Sequence, residues 1–265
     1  MTMEGIWIPS PPVRRTNDGD PMVITSPPLR RTLDDATVIF VIGGPGSGKS
    51  THCARLAAEL DLIHLDVDAM LLGFEQTGPA GAVAAVKSAR EEGKLPPVGL
   101  IMTLIKDEIT WHVEDGDCTF LLDGFPCSID QYLDYSRSLG VRHVIHLECS
   151  QDLLYFRSVD LLGIPLDQDA AELFLQHERI FTKRLARFKS ECRQVIRFLG
   201  AKGIVSTVKA EDTIEEVYGQ IKHVVDRLLD DFAPSDDEED PSASSSTSST
   251  SSSGGGGVRV FHLDP

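Results

Sequence analysis

Gly43-Gly44-Pro45-Gly46-Ser47-Gly48-Lys49-Ser50 follows directly on the apolar run Val38-Ile39-Phe40-Val41-Ile42. The stretch satisfies G-x-x-x-x-G-K-[ST] between a predicted buried strand and a predicted helix over residues 51–60. Glycines there let backbone N–H groups converge on phosphate oxygens, and the helix N-terminus adds about half a positive charge. Lys49 is placed to reach the outer phosphates, and the Ser50 hydroxyl to lie near a Mg²⁺ ion. A glycine-rich turn that fits the pattern by chance is the alternative, and the ordered succession of strand, loop and helix argues against it. The stretch predicts binding of ATP through Gly43, Gly44, Pro45, Gly46, Ser47, Gly48, Lys49, Ser50 and Thr51.

Composition narrows the setting. At 265 residues, with 41% apolar content, the chain has room for one sizeable domain with tails. The net charge of −16 argues against nucleic acid or an anionic membrane surface as the main partner. Most of that excess belongs to the central domain: residues 1–35 carry −1 and residues 234–265 carry −5, leaving about −10 for residues 36–233. Five cysteines, Cys53, Cys118, Cys127, Cys149 and Cys192, are odd in number and far apart, with no C-x-x-C pair. Free thiols in a reducing compartment are expected. No apolar signal segment and no run near the roughly 18–20 apolar residues of a membrane span are present, so the reading is a soluble, cytoplasmic protein. A monomer is expected.

Residues 1–35 hold a near-repeat, Ser10-Pro-Pro-Val-Arg-Arg-Thr16 and Ser26-Pro-Pro-Leu-Arg-Arg-Thr32, and read as a disordered arm. It either docks a protein partner, with Ser10 and Ser26 as modification sites, or only solubilises. Residues 234–265 run through an acidic stretch, a Ser/Thr tract and Gly254 to Gly257, and none of these can bury a core. The apolar end after them, Val258 to Pro265, is either a tethered peptide ligand or a spare terminus. Between the tails, strands are predicted at residues 37–42, 63–65, 118–122, 143–147 and 203–208. Helices are predicted at 51–60, 82–92, 98–112, 128–139, 151–162, 170–199 and 213–230, the last opened by the capping box Thr213-x-x-Glu216. Short apolar strands alternating with helices imply a parallel sheet covered on both faces, with the ligand at the strands' carboxyl ends.

Beyond the loop, the domain resembles the nucleoside monophosphate kinases, most closely adenylate kinase and the short-lid UMP/CMP kinases. Gly43 to Cys53 is similar to their loop, with Ser50 and His52 where they commonly have Gly and Gln. His64-Leu65, Glu92-Gly-Lys-Leu-Pro-Pro97, Leu121-Leu-Asp-Gly-Phe-Pro126 with Gln131, Lys183-Arg184-Leu185 and Gly203-Ile-Val205 resemble further family segments, in order. The resemblance implies a three-layer α/β P-loop NTPase fold with a five-stranded parallel sheet. It also implies an acceptor-binding insert at about 66–97, an altered short lid at about 160–177, and phosphoryl transfer from ATP·Mg²⁺ to a nucleoside monophosphate, AMP being the expected acceptor.

By the same resemblance Asp123 joins Ser50 in holding Mg²⁺, partly through water, unless it only caps the following turn. Arg157 and Arg184 align with arginines that flank the lid, and Lys49, Asp123, Arg157 and Arg184 form the expected catalytic set. Gly124, Phe125 and Gln131 align with acceptor-site residues, although Ser128-x-x-Gln131 is also a capping box.

Departures from the family pattern are as informative. Its two acceptor-phosphate arginines fall at Leu72 and Cys127 here, and no arginine stands between Arg157 and Arg179. A charge-assisted hydrogen bond contributes about 1.5–3 kcal/mol, so losing two predicts acceptor binding weakened by roughly 10²- to 10⁴-fold. A missing transition-state arginine costs about 10³–10⁵ in rate. Reduced turnover is expected, and a nucleotide-binding scaffold or sensor without turnover is the alternative. A third reading turns on Asp66-Val67-Asp68. Paired carboxylates at a strand's carboxyl end resemble small-alcohol P-loop kinases such as shikimate kinase, with Asp66 and Asp68 on the acceptor and metal. Their plainer role is capping the helix that follows.

Overall fold

A computed structural model of the chain describes residues 32–116, 118–160 and 170–230. The arm before residue 32, the tail from residue 231 and residues 161–169 of the expected lid lie outside the described residues. Residues 32–35, counted above with the arm, are described: Leu33–Asp35 form a short 3₁₀ turn, and Leu33 packs against the core.

Five strands, β1 (Thr37–Gly43), β2 (Ile63–Asp66), β3 (Thr119–Asp123), β4 (His143–Glu148) and β5 (Val205–Lys209), form one parallel sheet in the order β2-β3-β1-β4-β5. The central strand shows why the apolar run does not alternate with polar residues. Val38, Phe40 and Ile42 enter one core with Ile101, Ile105 and Tyr135. Ile39 and Val41 enter the other with Cys53, Leu56, Val217 and Ile221. A strand apolar on both sides must be covered on both, as βαβ crossovers require. Phe40 also stands edge-on to Phe125 and Tyr135, with ring centroids 6.0 and 5.0 Å away, which joins β1 to the segment after β3.

Helices α1 (Lys49–Leu60) and α9 (Ile214–Asp230) cover one face. On the other lie α2 (Val67–Thr77), α3 (Ala80–Glu91), α4 (Val98–Asp115), α5 (Ile129–Tyr135) and α8 (Arg193–Gly200), while α6 (Gln151–Asp160) packs on α7 (Ala170–Arg187). The capping box at Thr213 forms: Thr213 Oγ1 accepts from Glu216 N–H at 3.3 Å, and Glu216 accepts from Thr213 N–H at 3.1 Å. Three expectations change. Helix α2 joins the predicted helix of the insert. The helix predicted to run to 139 stops at Tyr135, whose hydroxyl bonds the Gly140 carbonyl. The helix predicted over 170–199 is interrupted by a π-helical turn, Phe188–Cys192, which unbroken helical periodicity could not reveal.

Strand order fixes the site. With β3 beside β1 and β2 beyond it, Val41 registers with Asp123 and Asp66 with Asp123. The carboxyl ends of three strands and the loop after β1 therefore open on one crevice, where the order of strands around β1 switches.

Candidate active site

The loop between β1 and α1 is held by packing as well as by its glycines. Gly46 has φ +80°, and a Cβ there would lie 2.5 Å from the Leu154 carbonyl of α6, so both backbone and space demand glycine. Lys49, the first residue of α1, donates to the Gly44 carbonyl at 3.3 Å, so its ammonium lies over the loop. Ser47 is buried, and its hydroxyl has no hydrogen-bond partner.

Beside the loop stands a small polar cluster. Ser50 Oγ donates to Asp123 Oδ2 at 2.6 Å, and His64 Nε2 lies 3.6 Å from the same oxygen. Asp123 is 1% exposed, and its other oxygen is buried with no partner. Burial pushes this carboxyl up, but His64, Lys49 and Ser50 outweigh it and hold it below the usual carboxylate value. An ionised buried carboxylate with an unsatisfied oxygen, next to a serine hydroxyl, suits a hard divalent cation, so the expected Mg²⁺ fits Ser50 and Asp123. Cys53 Sγ, His64 and Asp123 come within 4.8 Å of one another; burial raises the Cys53 thiol well above its ordinary value, which keeps the sulfur protonated and a poor ligand for that ion.

A cavity of about 380 Å³ opens from the loop toward the insert. Gly43, Pro45, Lys49, Ser50 and Asp123 form one end, and Asp66, Asp68, Gly124, Phe125, Gln131 and Arg184 are also in its walls. Expected residues of both halves thus share one cavity, although Gly44, Gly46, Ser47, Gly48 and Thr51 of the loop are not in its wall. Their partners are less free than expected. Asp66 caps α2, its carboxylate accepting from Ala69 N–H at 3.1 Å. Asp68 forms an ion pair with Arg184 across the cavity. Gln131 accepts from Cys127 N–H at 2.7 Å, while its own N–H bonds Ser128 Oγ at 3.2 Å; what it can offer the cavity is its amide N–H₂.

Arg157 stands apart. Its guanidinium donates to the carbonyls of Ala210, at 2.6 Å, and Asp212, at 3.5 Å, in the β5–α9 connection. It is not in the wall of this cavity, unlike Lys49, Asp123 and Arg184, the other members of the expected catalytic set.

Four charged residues that sequence reasoning did not assign to the site, Glu75, Arg90, Lys94 and Arg187, line the same cavity. Glu75 of α2 pairs with Arg90 of α3 at 2.6 Å; the carboxylate is 3% exposed and its second oxygen has no partner. Arg187, the last residue of α7, donates to the Gly93 carbonyl. The acceptor side, expected to lack charge at Leu72 and Cys127, therefore holds arginines from other helices. Helical spacing puts Arg184 and Arg187 on one face, which was the available signal; the Glu75–Arg90 pair joins two helices and left none.

Comparison with known proteins agrees with this arrangement. A family model described as adenylate kinase matches residues 41–204. Adenylate kinase isoenzyme 5 of Bos taurus is 30% identical over 197 residues, covering 74% of this chain, which spans about a third (34%) of that relative. A uridylate kinase of Saccharomyces cerevisiae is 27% identical over 193 residues, 72% of this chain and 92% of that protein. A UMP-CMP kinase of Danio rerio is 24% identical over 196 residues, 72% of this chain and 97% of that protein. No helix among the described residues is long and apolar enough to cross a membrane. The family match along the described domain, with kinase relatives aligned over the same stretch, establishes that the chain belongs to the adenylate kinase family of phosphotransferases acting on nucleoside monophosphates.

Proposed function

We propose that this protein transfers the γ-phosphoryl group of ATP·Mg²⁺ to AMP, reversibly and as a monomer in the cytoplasm, a reducing setting that suits its five free cysteines. The observation that carries the reading is the single cavity lined at one end by the loop, Lys49 and Asp123 and at the other by the insert. Phosphoryl transfer asks for positioning and charge stabilisation more than for covalent chemistry by the protein. Loop N–H groups and Lys49 cradle the donor's phosphates. Ser50 and Asp123 would hold Mg²⁺, which when bound neutralises charge on the phosphate oxygens. Arg184, once its pair with Asp68 opens, stabilises charge between donor and acceptor.

One observation favours a second reading, a nucleotide-binding scaffold without turnover: the Arg184 charge is already met by Asp68. The alcohol-kinase reading loses support, because one of its two carboxylates caps a helix and the other is on an arginine. A coupled assay over AMP, CMP, UMP, GMP and small alcohols separates these, with binding of a non-hydrolysable ATP analogue measured by calorimetry. We expect analogue binding that Lys49→Ala abolishes, and turnover with a nucleoside monophosphate. Folded protein that fails to bind the analogue would sink both the kinase and the scaffold.

A further inference from the structure

We propose that Arg187 binds the phosphate of the acceptor, a phosphomonoester dianion, in the cavity between the loop and the insert. This rests on the nucleotide-kinase reading and adds a residue to it.

A dianion entering a partly buried cavity needs positive charge that nothing else has already neutralised. Five cationic side chains line this one. Lys49 lies over the loop, at the donor end. Arg90 is matched by Glu75 and Arg184 by Asp68, so each brings an anion with it. Lys94 is 72% exposed and paired with Glu92 at 2.5 Å. Arg187 differs. Among the described residues it forms no ion pair, and its hydrogen bond goes to a neutral acceptor, the Gly93 carbonyl.

A guanidinium has five N–H donors in a planar fork, so one bond to a carbonyl leaves donors that can engage a phosphate in bidentate fashion. Half-burial limits solvent screening of the charge. The Gly93 bond also fixes where the fork points, between the insert and α7. Gly93 permits that approach: its φ is +66°, and a Cβ there would lie 2.7 Å from Lys183 Cβ. Arg187 shares the wall with Cys127, directly after the Asp123-Gly124-Phe125-Pro126 segment. The Cys127 thiol is held below its ordinary value, first by its contact with Cys192 and then, against burial, by the Arg187 charge. The π-helical turn begins at the next residue, and Arg187, Phe188 and Cys192 all face the cavity around it. The charge absent at position 127 is thus supplied from α7 to the same part of the wall.

The test uses the full chain, with AMP, CMP, UMP and GMP as probes, and reads both turnover and calorimetric binding of the monophosphate. Arg187→Ala should raise the acceptor KM and Kd by about 10- to 100-fold, with the KM for ATP and the melting temperature little changed. Arg187→Gln keeps a donor for the Gly93 carbonyl but no charge, so it should behave like Arg187→Ala; a purely structural tie would be spared by it. Cys127→Arg in the Arg187→Ala background should recover most of the lost acceptor affinity. Turnover with an unaltered acceptor KM in both single variants would overturn this site and keep the kinase. Monophosphate binding that depends on Arg187, with no turnover, would keep the site and sink the kinase. Wild-type protein that neither binds nor phosphorylates any of the four would overturn both.

Discussion

Asp68 controls how much of Arg184 an incoming nucleotide meets. The pair is largely solvent-exposed, 43% for the arginine side chain and 66% for the aspartate, and an exposed ion pair contributes about 0–1 kcal/mol to stability. Asp68→Asn should therefore leave the melting temperature almost unchanged. It removes an anion from the acceptor's path and releases a guanidinium toward the phosphate, so turnover with a nucleoside monophosphate should rise, with acceptor KM falling severalfold. An alcohol kinase using Asp68 as its base predicts the opposite, loss of activity toward every acceptor with ATP binding intact. Glu75 lies at the other extreme. Its carboxylate is 3% exposed and keeps one unpartnered oxygen, so it is tied to Arg90 by the cost of leaving a buried charge alone.

At the level of elements, what could be read from sequence was what is set locally. The run Val38 to Ile42 declares a strand buried on both faces, the glycines declare the loop, and Thr213-x-x-Glu216 declares the start of α9. What escaped depends on helices meeting in space. Arg90 finds Glu75 across α2 and α3, Arg187 finds Gly93 from 94 residues away, and Arg157 turns to the β5–α9 connection instead of the cavity. Asp66 was open between two roles, and the structure gives it the cap of α2. Removing the cap with Asp66→Ala should cost about 1 kcal/mol by denaturant unfolding, whereas Asp66→Asn, an equally good cap, should cost little. If Asp66→Asn instead abolishes turnover while stability holds, Asp66 acts on the substrate as well as on the helix. Because α2 carries Leu71 and Glu75 into the cavity wall, a frayed α2 should also raise the acceptor KM before it affects ATP binding.

Across the whole molecule, buried and half-buried histidines should set how stability responds to mild acid. His52, His143 and His146 all have values below the ordinary imidazole range, burial being the first cause in each. For His52, Arg157 and Arg55 add to it and Glu215 opposes; its Nδ1 is buried without a partner, and its ring stacks on Tyr218 with centroids 6.3 Å apart. Each of these histidines binds a proton more readily unfolded than folded. Their contribution is therefore complete above the unfolded value of about 6.5 and is lost as pH falls through the lower folded values. Asp123 has the same sign but an unfolded value of about 3.9, so it acts only in stronger acid. The net charge of −16 works the other way, since protonating carboxylates relieves self-repulsion, yet that relief comes near pH 4, below the histidine window. Scanning calorimetry should show a level melting temperature from pH 8 to about 7, then a fall of several degrees toward pH 5. His52→Gln, a neutral side chain of similar reach, should flatten part of that fall and change little at pH 8. A melting temperature that rises on mild acidification would mean that surface repulsion, and not these imidazoles, governs this range.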